Sequence, residues 1–579
     1  MPSGSLTRGW LRARAGLGLA ALFFALTVVM ALPSVGQWSS ATPGNYGDAF
    51  FSQWLLRWNV HGLLDGGTSV FHPNIYWPAR DVLVYSDSTL AAAPLAAVAG
   101  LAVGWPVAYN VLYLAAWMCS LASTYALARW LRVSRPAAVL AAIVFTFAAV
   151  RVNLHGNFPM QFTFLAPLAI YLLLRLLDER RWWQAAALGL GGAGVLLNVG
   201  YLAVVLFPAL AIVTAAWPFV TRTRPDVRLL SGLVGAVAVA VALALPVLLR
   251  YQGQGDTIRP VYLAENAVTP RNFLSPADGS LLYGWLDDLT ESPFENRLFP
   301  GFAALAMGAV GVTALWSRNT PANLRRRHLL VVLVATVPAL VLAFGKYQMV
   351  GEWRIPLPYS LVADLPGYKS VRSFGRLTVL PLLGLALLVA VGYDRLARTR
   401  VAARSGLVLA AVLAALLLIE DKARIVMSPR IDTAQFASVN RALDDLPDGV
   451  VLELPMGDNR HFTYGFVEAP RMVLSAIDWN PRVNGYSGYS PPGYSDTIDI
   501  VNSLDDGGPA TSETLALLDH LDVRYLIVRL AAPDRDHDAV GRSHLDEAGA
   551  QRVVDALPPE RVDRVRREGA ALLIQLRRG

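Results

Sequence analysis

With 579 residues, 54% of them hydrophobic and only 16% charged, and a mean hydropathy of +0.42, the chain is too apolar for an ordinary soluble protein; the bilayer is its solvent. The net charge of +7 does not mark a nucleic-acid binder, because the arginines cluster in short segments between apolar runs, a pattern that sets membrane topology. A single cysteine, Cys119, excludes an intramolecular disulfide and a cysteine metal site.

The chain opens with Arg8, Arg12 and Arg14 ahead of the apolar run Leu17–Leu32, read as an uncleaved first helix. Runs that span a bilayer, or nearly so, centre in Gly16–Val35, Pro106–Trp130, Ala137–Val150, Pro159–Leu177, Ala185–Asn198, Leu202–Phe219, Leu229–Leu249, Gly301–Leu315, Leu329–Phe344, Leu377–Val391 and Leu407–Leu418. Ala137–Val150 and Ala185–Asn198 fall below the roughly 17 residues of a straight span and must borrow flanking residues.

The basic residues test this count independently. Arg129, Arg132 and Arg135, then Arg180 and Arg181, then Arg222, Arg224 and Arg228, then Arg318 with Arg325, Arg326 and Arg327, then Arg395, Arg398, Arg400 and Arg404 occupy every second connection. By the positive-inside rule these connections and the N-terminus face the cytoplasm of a bacterial inner membrane. Loops 36–105, 250–299 and 346–376, the short turns Arg151–Asn157 and Asn198–Tyr201, and everything after Ile419 then lie outside. Counting Thr89–Val103 as a span would invert every later loop, so it reads as a re-entrant or interfacial helix, begun by Asp87, Ser88 and Thr89.

After about Glu420 the composition changes: 25 of the 43 acidic residues follow it, with strand-like runs at Gly449–Leu454, Val523–Val528 and Ala571–Leu576. The fold class expected is a polytopic α-helical membrane protein with about eleven transmembrane helices (residues 1–420) and a C-terminal soluble α/β domain (residues 421–579). That domain should form one sheet, with helices such as Ser512–Leu521 against it, and dock over the outer loops.

An enzyme of this architecture needs polar residues gathered on one side, and the first outer loop supplies Asn45, Asp48, Gln53, Arg57, His61, Asp65, His72, Asn74, Asp81 and Asp87. From Asp48 to about Gly62, helical spacing puts Phe51, Trp54, Leu55 and Trp58 on one apolar face, which predicts an amphipathic helix at the membrane surface. Asp48 falls near its N-terminus, where the helix dipole favours the carboxylate; it serves there as a cap or as a reactive group. Asp87 and Asp81 are the next candidates, Asp87 doubling as a helix cap. His155, in the turn Arg151–Asn157, suits a phosphate or a sugar hydroxyl, or a backbone carbonyl. His61 and His72 have no metal-ligand spacing, though a divalent cation between Asp48 and Asp87 is compatible with the sequence. Arg372 and Arg376 lie four residues apart at the start of the Leu377 run, one helical turn if helical, and could share one phosphate. Glu291 and Glu295, before the Gly301 run, are weaker site candidates and read more readily as solvated. Tyr486 and Tyr489, in the aromatic segment Trp479–Tyr494, either stack on sugars or pack the terminal domain down.

Gly47-Asp48 with Trp54 and Trp58, Phe71-His72-Pro73-Asn74-Ile75-Tyr76-Trp77-Pro78, Tyr85-Ser86-Asp87 and Ala108-Tyr109-Asn110 together resemble bacterial membrane glycosyltransferases of the GT-C superfamily. The resemblance continues through Arg151–His155 and Pro167, at Lys369–Arg376, and at Asn484–Pro492. It implies an enzyme that takes a sugar from a polyprenyl-phosphate carrier, with inversion presumed, and passes it to a glycan, lipid or protein acceptor on the outer face. It also implies that an acidic residue of the first outer loop, here Asp48, acts as general base. Two other readings stand beside it: a transporter or flippase of lipid-linked saccharides, and a non-catalytic envelope-assembly protein. The first is disfavoured because the central parts of the spans carry essentially no ionisable residues.

Overall fold

The computed structural model describes all residues except 1–2, 33, 65–68, 106, 254–265, 318–323, 400–404, 462, 532–542 and 578–579, and the side chains of 3–13 and 350. Asp65, Arg318, Arg400 and Arg404, and the side chains of Arg8 and Arg12, thus lie outside the description.

All eleven apolar runs fall on helices. Eight of the described helices are long and apolar enough to cross a membrane: Arg14–Ala31, Val107–Trp130, Arg135–Asn153, Phe158–Glu179, Gly200–Thr221, Val227–Gly253, Arg326–Ala343 and Phe374–Leu396. The other three runs form shorter helices, Trp182–Asn198, Phe302–Trp316 and Gly406–Glu420. The run at Ala137 does borrow its flanks, extending to Arg135 and Asn153. Its side chains are buried almost without exception, so this helix forms the bundle's axis, whereas Leu230, Val234 and Val237 of Val227–Gly253 face outward. Small residues set the closest packing: a Cβ at Gly311 would lie 2.0 Å from the Leu388 carbonyl oxygen, so Phe302–Trp316 and Val379–Leu396 touch backbone to backbone. Thr89–Val103 becomes a short apolar helix, Leu90–Val103.

The arginine-bearing connections converge at one end of the bundle. The Arg325 N–H donates to the Leu131 carbonyl at 3.1 Å, its guanidinium reaches Asp178 at 2.9 Å, Arg180 pairs with Asp226, and the Ser134 N–H donates to Asp394 at 2.9 Å. Arg151 departs from expectation. It is fully buried, its guanidinium donating to Ser120 Oγ and to the carbonyls of Phe145 and Gln161, so one span does carry an interior charge. No carboxylate pairs with it among the described residues; hydroxyl, carbonyls and the Phe145 ring, 5.3 Å away, solvate it instead.

At the opposite end sits the terminal domain. Its sheet runs Val450–Leu454, Val523–Arg529, Ala571–Leu576, Val562–Glu568 in spatial order, the first pair parallel and the others antiparallel. The three expected strands are there. The fourth, Val562–Glu568, escaped the sequence because it is an edge strand rich in charge, joined to its neighbour by a hairpin at Gly569 (φ +59°). Beneath the sheet Glu453 is completely buried and holds three arginines: Arg529 at 2.7 Å, Arg482 at 3.2 Å and Arg471 at 3.9 Å. Asp478 and Glu468 pair with Arg482 and Arg471, which balances three positive charges with three negative.

The helix expected on the membrane surface exists, as Asp48–Leu64, but is enclosed on nearly all sides rather than amphipathic. Phe50, Phe51, Trp54 and Trp58 share one continuous core with Leu452, Leu454, Met472 and Val483 of the terminal domain. Polar contacts fix the same junction: Arg57 donates to the carbonyls of Val473 and Ala476 (3.3 and 3.1 Å), and Trp77 Nε1 to that of Leu521 (3.0 Å). The chain after the last bundle helix also returns to the first, Met427–Pro429 pairing with Ala41–Pro43. Lys422 Nζ donates to the carbonyls of Val29, Met30 and Leu32, capping the helix that ends at Ala31.

Candidate active site at the bundle–domain junction

Asp48 opens its helix directly after a turn in which the Gly47 N–H donates to Asn45 Oδ1 at 3.2 Å. Gly44, at φ +114°, lets this segment lie against the turn after Arg151: a Cβ there would sit 2.5 Å from Gly156 Cα. That approach brings Asn157 to the Asp48 carboxylate. From the other side, 438 residues along the chain, the Tyr486 hydroxyl donates to Asp48 Oδ1 at 2.9 Å. The Tyr486 ring is held edge-on by Phe51 (5.5 Å) and Tyr464 (5.0 Å).

Arg376 connects the second carboxylate. Its positive charge acts on both Asp48 and Asp87, and the Gly200 N–H donates to Asp87 Oδ1 at 2.8 Å. Arg376 itself is held by a bidentate pair to Glu295 (2.6 and 2.9 Å) and lies over the Tyr201 ring at 4.8 Å. Dense protein around Asp48 raises its carboxyl above the ordinary value, against the pull of Arg376, Tyr486 and Asn157. Burial likewise raises Asp87, opposed by Gly200 and Arg376. Both keep partial solvent access, as groups that must meet a substrate do.

Arg372 does not stack one helical turn before Arg376. Residues 371–373 are non-helical and a 3-10 turn starts only at Phe374, so the two arginines diverge around Tyr201. The Tyr201 hydroxyl accepts the Arg372 backbone N–H at 3.3 Å. The Arg372 guanidinium lies 4.7 Å from the Tyr489 ring centroid and has no carboxylate partner among the described residues. Beside it, the Tyr489 hydroxyl is buried without a hydrogen-bond partner among the described residues. The structure therefore gathers Asp48, Asp87, Arg372, Arg376, Tyr486 and Tyr489.

Three other candidates lie elsewhere. His155 is spent on backbone: Nδ1 bonds the Val152 carbonyl at 2.9 Å and Nε2 accepts the Val426 N–H at 3.3 Å. Burial lowers its pKa, so it offers neither a free nitrogen nor a charge to a phosphate. His72 and Asp81 form a separate, more exposed cluster: the Asp81 N–H donates to His72 Nδ1 at 3.1 Å, and Arg250 binds Asp81 at 3.0 Å while covering Phe71 at 3.8 Å.

The sequence missed Tyr201 and ranked Glu295 low. Glu295, a weaker site candidate read more readily as solvated, is the anchor of Arg376. Its only local signal is position, in the short turn Phe294–Asn296 before a span; a partner 81 residues away leaves no periodic trace. The Arg376 charge acts on both aspartates, and no group of three His, Cys, Asp or Glu suited to a metal occurs among the described residues.

No curated protein sequence matches the chain. Among solved structures, arabinofuranosyltransferase AftD from mycobacteria is similar with a TM-score of 0.59 at 16% identity, over 97% of this chain and 40% of AftD. A mutant form of AftD gives 0.59 at 17% identity, over 100% and 42%. An oligosaccharyltransferase from Archaeoglobus fulgidus in its apo form gives 0.50 at 14% identity, over 89% and 69%. At such identities the likeness establishes a fold shared with these two proteins and nothing of activity, and this chain spans about two fifths of the length of AftD. A family model covers residues 66–419, more than half of the chain, and by that match the chain belongs to the family described as Domain of unknown function (DUF6311).

Proposed function

We propose that this protein transfers a sugar from a polyprenyl-phosphate-linked donor to an envelope acceptor on the extracytoplasmic face, with Asp48 as general base. The observation that carries the reading is the convergence of Asp48 and Asp87 on Arg376 at the junction where the terminal domain closes over the bundle. An acceptor hydroxyl is a poor nucleophile until its proton leaves. Asp48 takes that proton as the oxygen attacks the anomeric carbon, the bond from that carbon to the carrier phosphate breaks, and the phosphate departs with the bonding pair. A carboxyl raised by burial is better matched to proton transfer near neutrality than an ordinary aspartate.

The departing phosphate needs a cation that is not already spent. Arg376 is committed to Glu295, so Arg372 takes this role, with the partnerless Tyr489 hydroxyl next to it as a second donor. Asp87 orients Arg376 and the acceptor, and Tyr486 holds the Asp48 carboxylate from the terminal domain. That the similar solved structures are an arabinofuranosyltransferase and an oligosaccharyltransferase supports this reading. Its test is incubation of purified protein with a panel of polyprenyl-phosphate sugars and detection of released carrier; release with no member of the panel, under conditions where the protein is folded, counts for the non-catalytic reading.

A further inference from the structure

At the arginine-rich end of the bundle, away from Asp48, a cavity of about 1010 Å3 opens between the helices Val107–Trp130, Arg135–Phe147, Val379–Leu396 and Gly406–Glu420. Three guanidiniums line it, Arg129, Arg132 and Arg398, against one carboxylate, Asp394, so three positive charges less one negative leave a surplus of two. Asp394 is already engaged by the Ser134 N–H at 2.9 Å, and Arg129 donates to the Val133 carbonyl. Arg132 and Arg398 are exposed and have no carboxylate partner among the described residues. Two helix N-termini open onto the same space, those of Arg135–Phe147 and Gly406–Glu420, and at the second Ser405 makes no side-chain capping bond. Each end adds partial positive charge, but the backbone N–H donors come from the second: at the first, Pro136 has no N–H and the Ala137 N–H already donates to Ser134 Oγ. The remaining rim is apolar: Leu407 and Val408 line the cavity yet are 77% and 63% exposed, on a helix facing outward.

A cationic hollow between helix ends that continues into an outward apolar strip has the two halves of a phospholipid's chemistry. We propose that this cavity binds the phosphate headgroup of an anionic phospholipid, whose acyl chains run along Leu407 and Val408. The inference does not depend on the reading of Asp48. A free phosphate would find the same arginines but would have no use for the apolar rim, which is why the lipid is the occupant chosen.

The test uses the full chain in neutral detergent, with native mass spectrometry and thermal melting in the presence of phosphatidylglycerol, phosphatidylcholine or inorganic phosphate. Phosphatidylglycerol should be retained and raise the melting temperature, whereas phosphatidylcholine and inorganic phosphate should do neither. The double variant R132Q/R398Q should weaken phosphatidylglycerol binding by about tenfold or more, the loss expected of charge-assisted phosphate contacts. R224Q/R228Q removes the same charge from exposed arginines outside the cavity and should bind as the parent does. Equal loss in both double variants would reduce the binding to diffuse surface attraction, and a shift reproduced by inorganic phosphate alone would overturn the lipid assignment. Should R132Q/R398Q not fold, the single variant R398Q, altered at an exposed side chain, carries the same comparison.

Discussion

Replacing Asp48 by Asn tests the proposed chemistry with little disturbance of the fold. The amide oxygen can still accept the Tyr486 hydroxyl, and Arg376 keeps its bidentate pair with Glu295, so neither neighbour is orphaned. What is lost structurally is the charge assistance on the hydrogen bonds from Tyr486 and Asn157, about 1 kcal/mol. Against it stands the relief of no longer holding a carboxylate where burial disfavours its charge. Stability should therefore stay within about 1 kcal/mol, which for a chain this long is a change of melting temperature of only ~1 °C. Catalysis should fall much further. Removal of a general base costs roughly 10² to 10⁴ in rate, or about 3–5 kcal/mol of transition-state stabilisation, and the loss should appear in kcat rather than KM. The assay is release of carrier from a donor already shown to turn over, at saturating donor, alongside melting curves of parent and variant. Near-normal turnover by D48N refutes the base assignment; if D87N is then the inactive variant, the base is Asp87, and if neither matters the catalytic reading of this junction fails.

Tyr486→Phe removes a hydrogen bond that lowers the Asp48 pKa, so that pKa rises further. Because the base must be deprotonated, the acid limb of the kcat/KM profile should move to higher pH, and an unmoved limb would separate Tyr486 from the reacting group. Arg372→Ala should raise KM for the donor by the equivalent of about 1.5–3 kcal/mol with a smaller effect on kcat, read from donor titrations. Glu453→Gln leaves three buried arginines facing a neutral amide; it should cost about 3 kcal/mol or more, a fall in melting temperature of roughly 3 °C or more by calorimetry. Reporters fused after Gly579 and near Arg325 should lie on opposite sides of the membrane, the first outside and the second in the cytoplasm; a cytoplasmic C-terminus would remove the outer-face site.

What the sequence made legible follows from how each feature writes itself into a chain. A membrane helix is a local, continuous run, so all eleven apolar runs fall on helices, eight of them long enough to cross a membrane. The alternation of arginines groups loops into two sets, and contacts such as Arg325 with Leu131 and Asp178 bring one set together at one end. Strands with buried faces are similarly local, and only the charged edge strand Val562–Glu568 hides. The site is different in kind. Asp48 was visible because a carboxylate at a helix start is a short-range pattern, and Tyr486 because aromatics between Gly and Pro are conspicuous. Their contact, across 438 residues, was not. Periodicity misled in two places for one reason: it assumes a helix with a free face. Applied to Asp48–Leu64 it described a surface helix where the terminal domain covers the polar side as well. Applied to Arg372 and Arg376 it assumed helix where the chain is still irregular, so two arginines expected to share a phosphate are divided by Tyr201. That division gives the site its chemistry. An arginine locked to Glu295 is a fixed charge that can set the two aspartates, while one resting only on an aromatic face can be drawn to an anion, and a single helical turn bearing both could not have kept those roles apart.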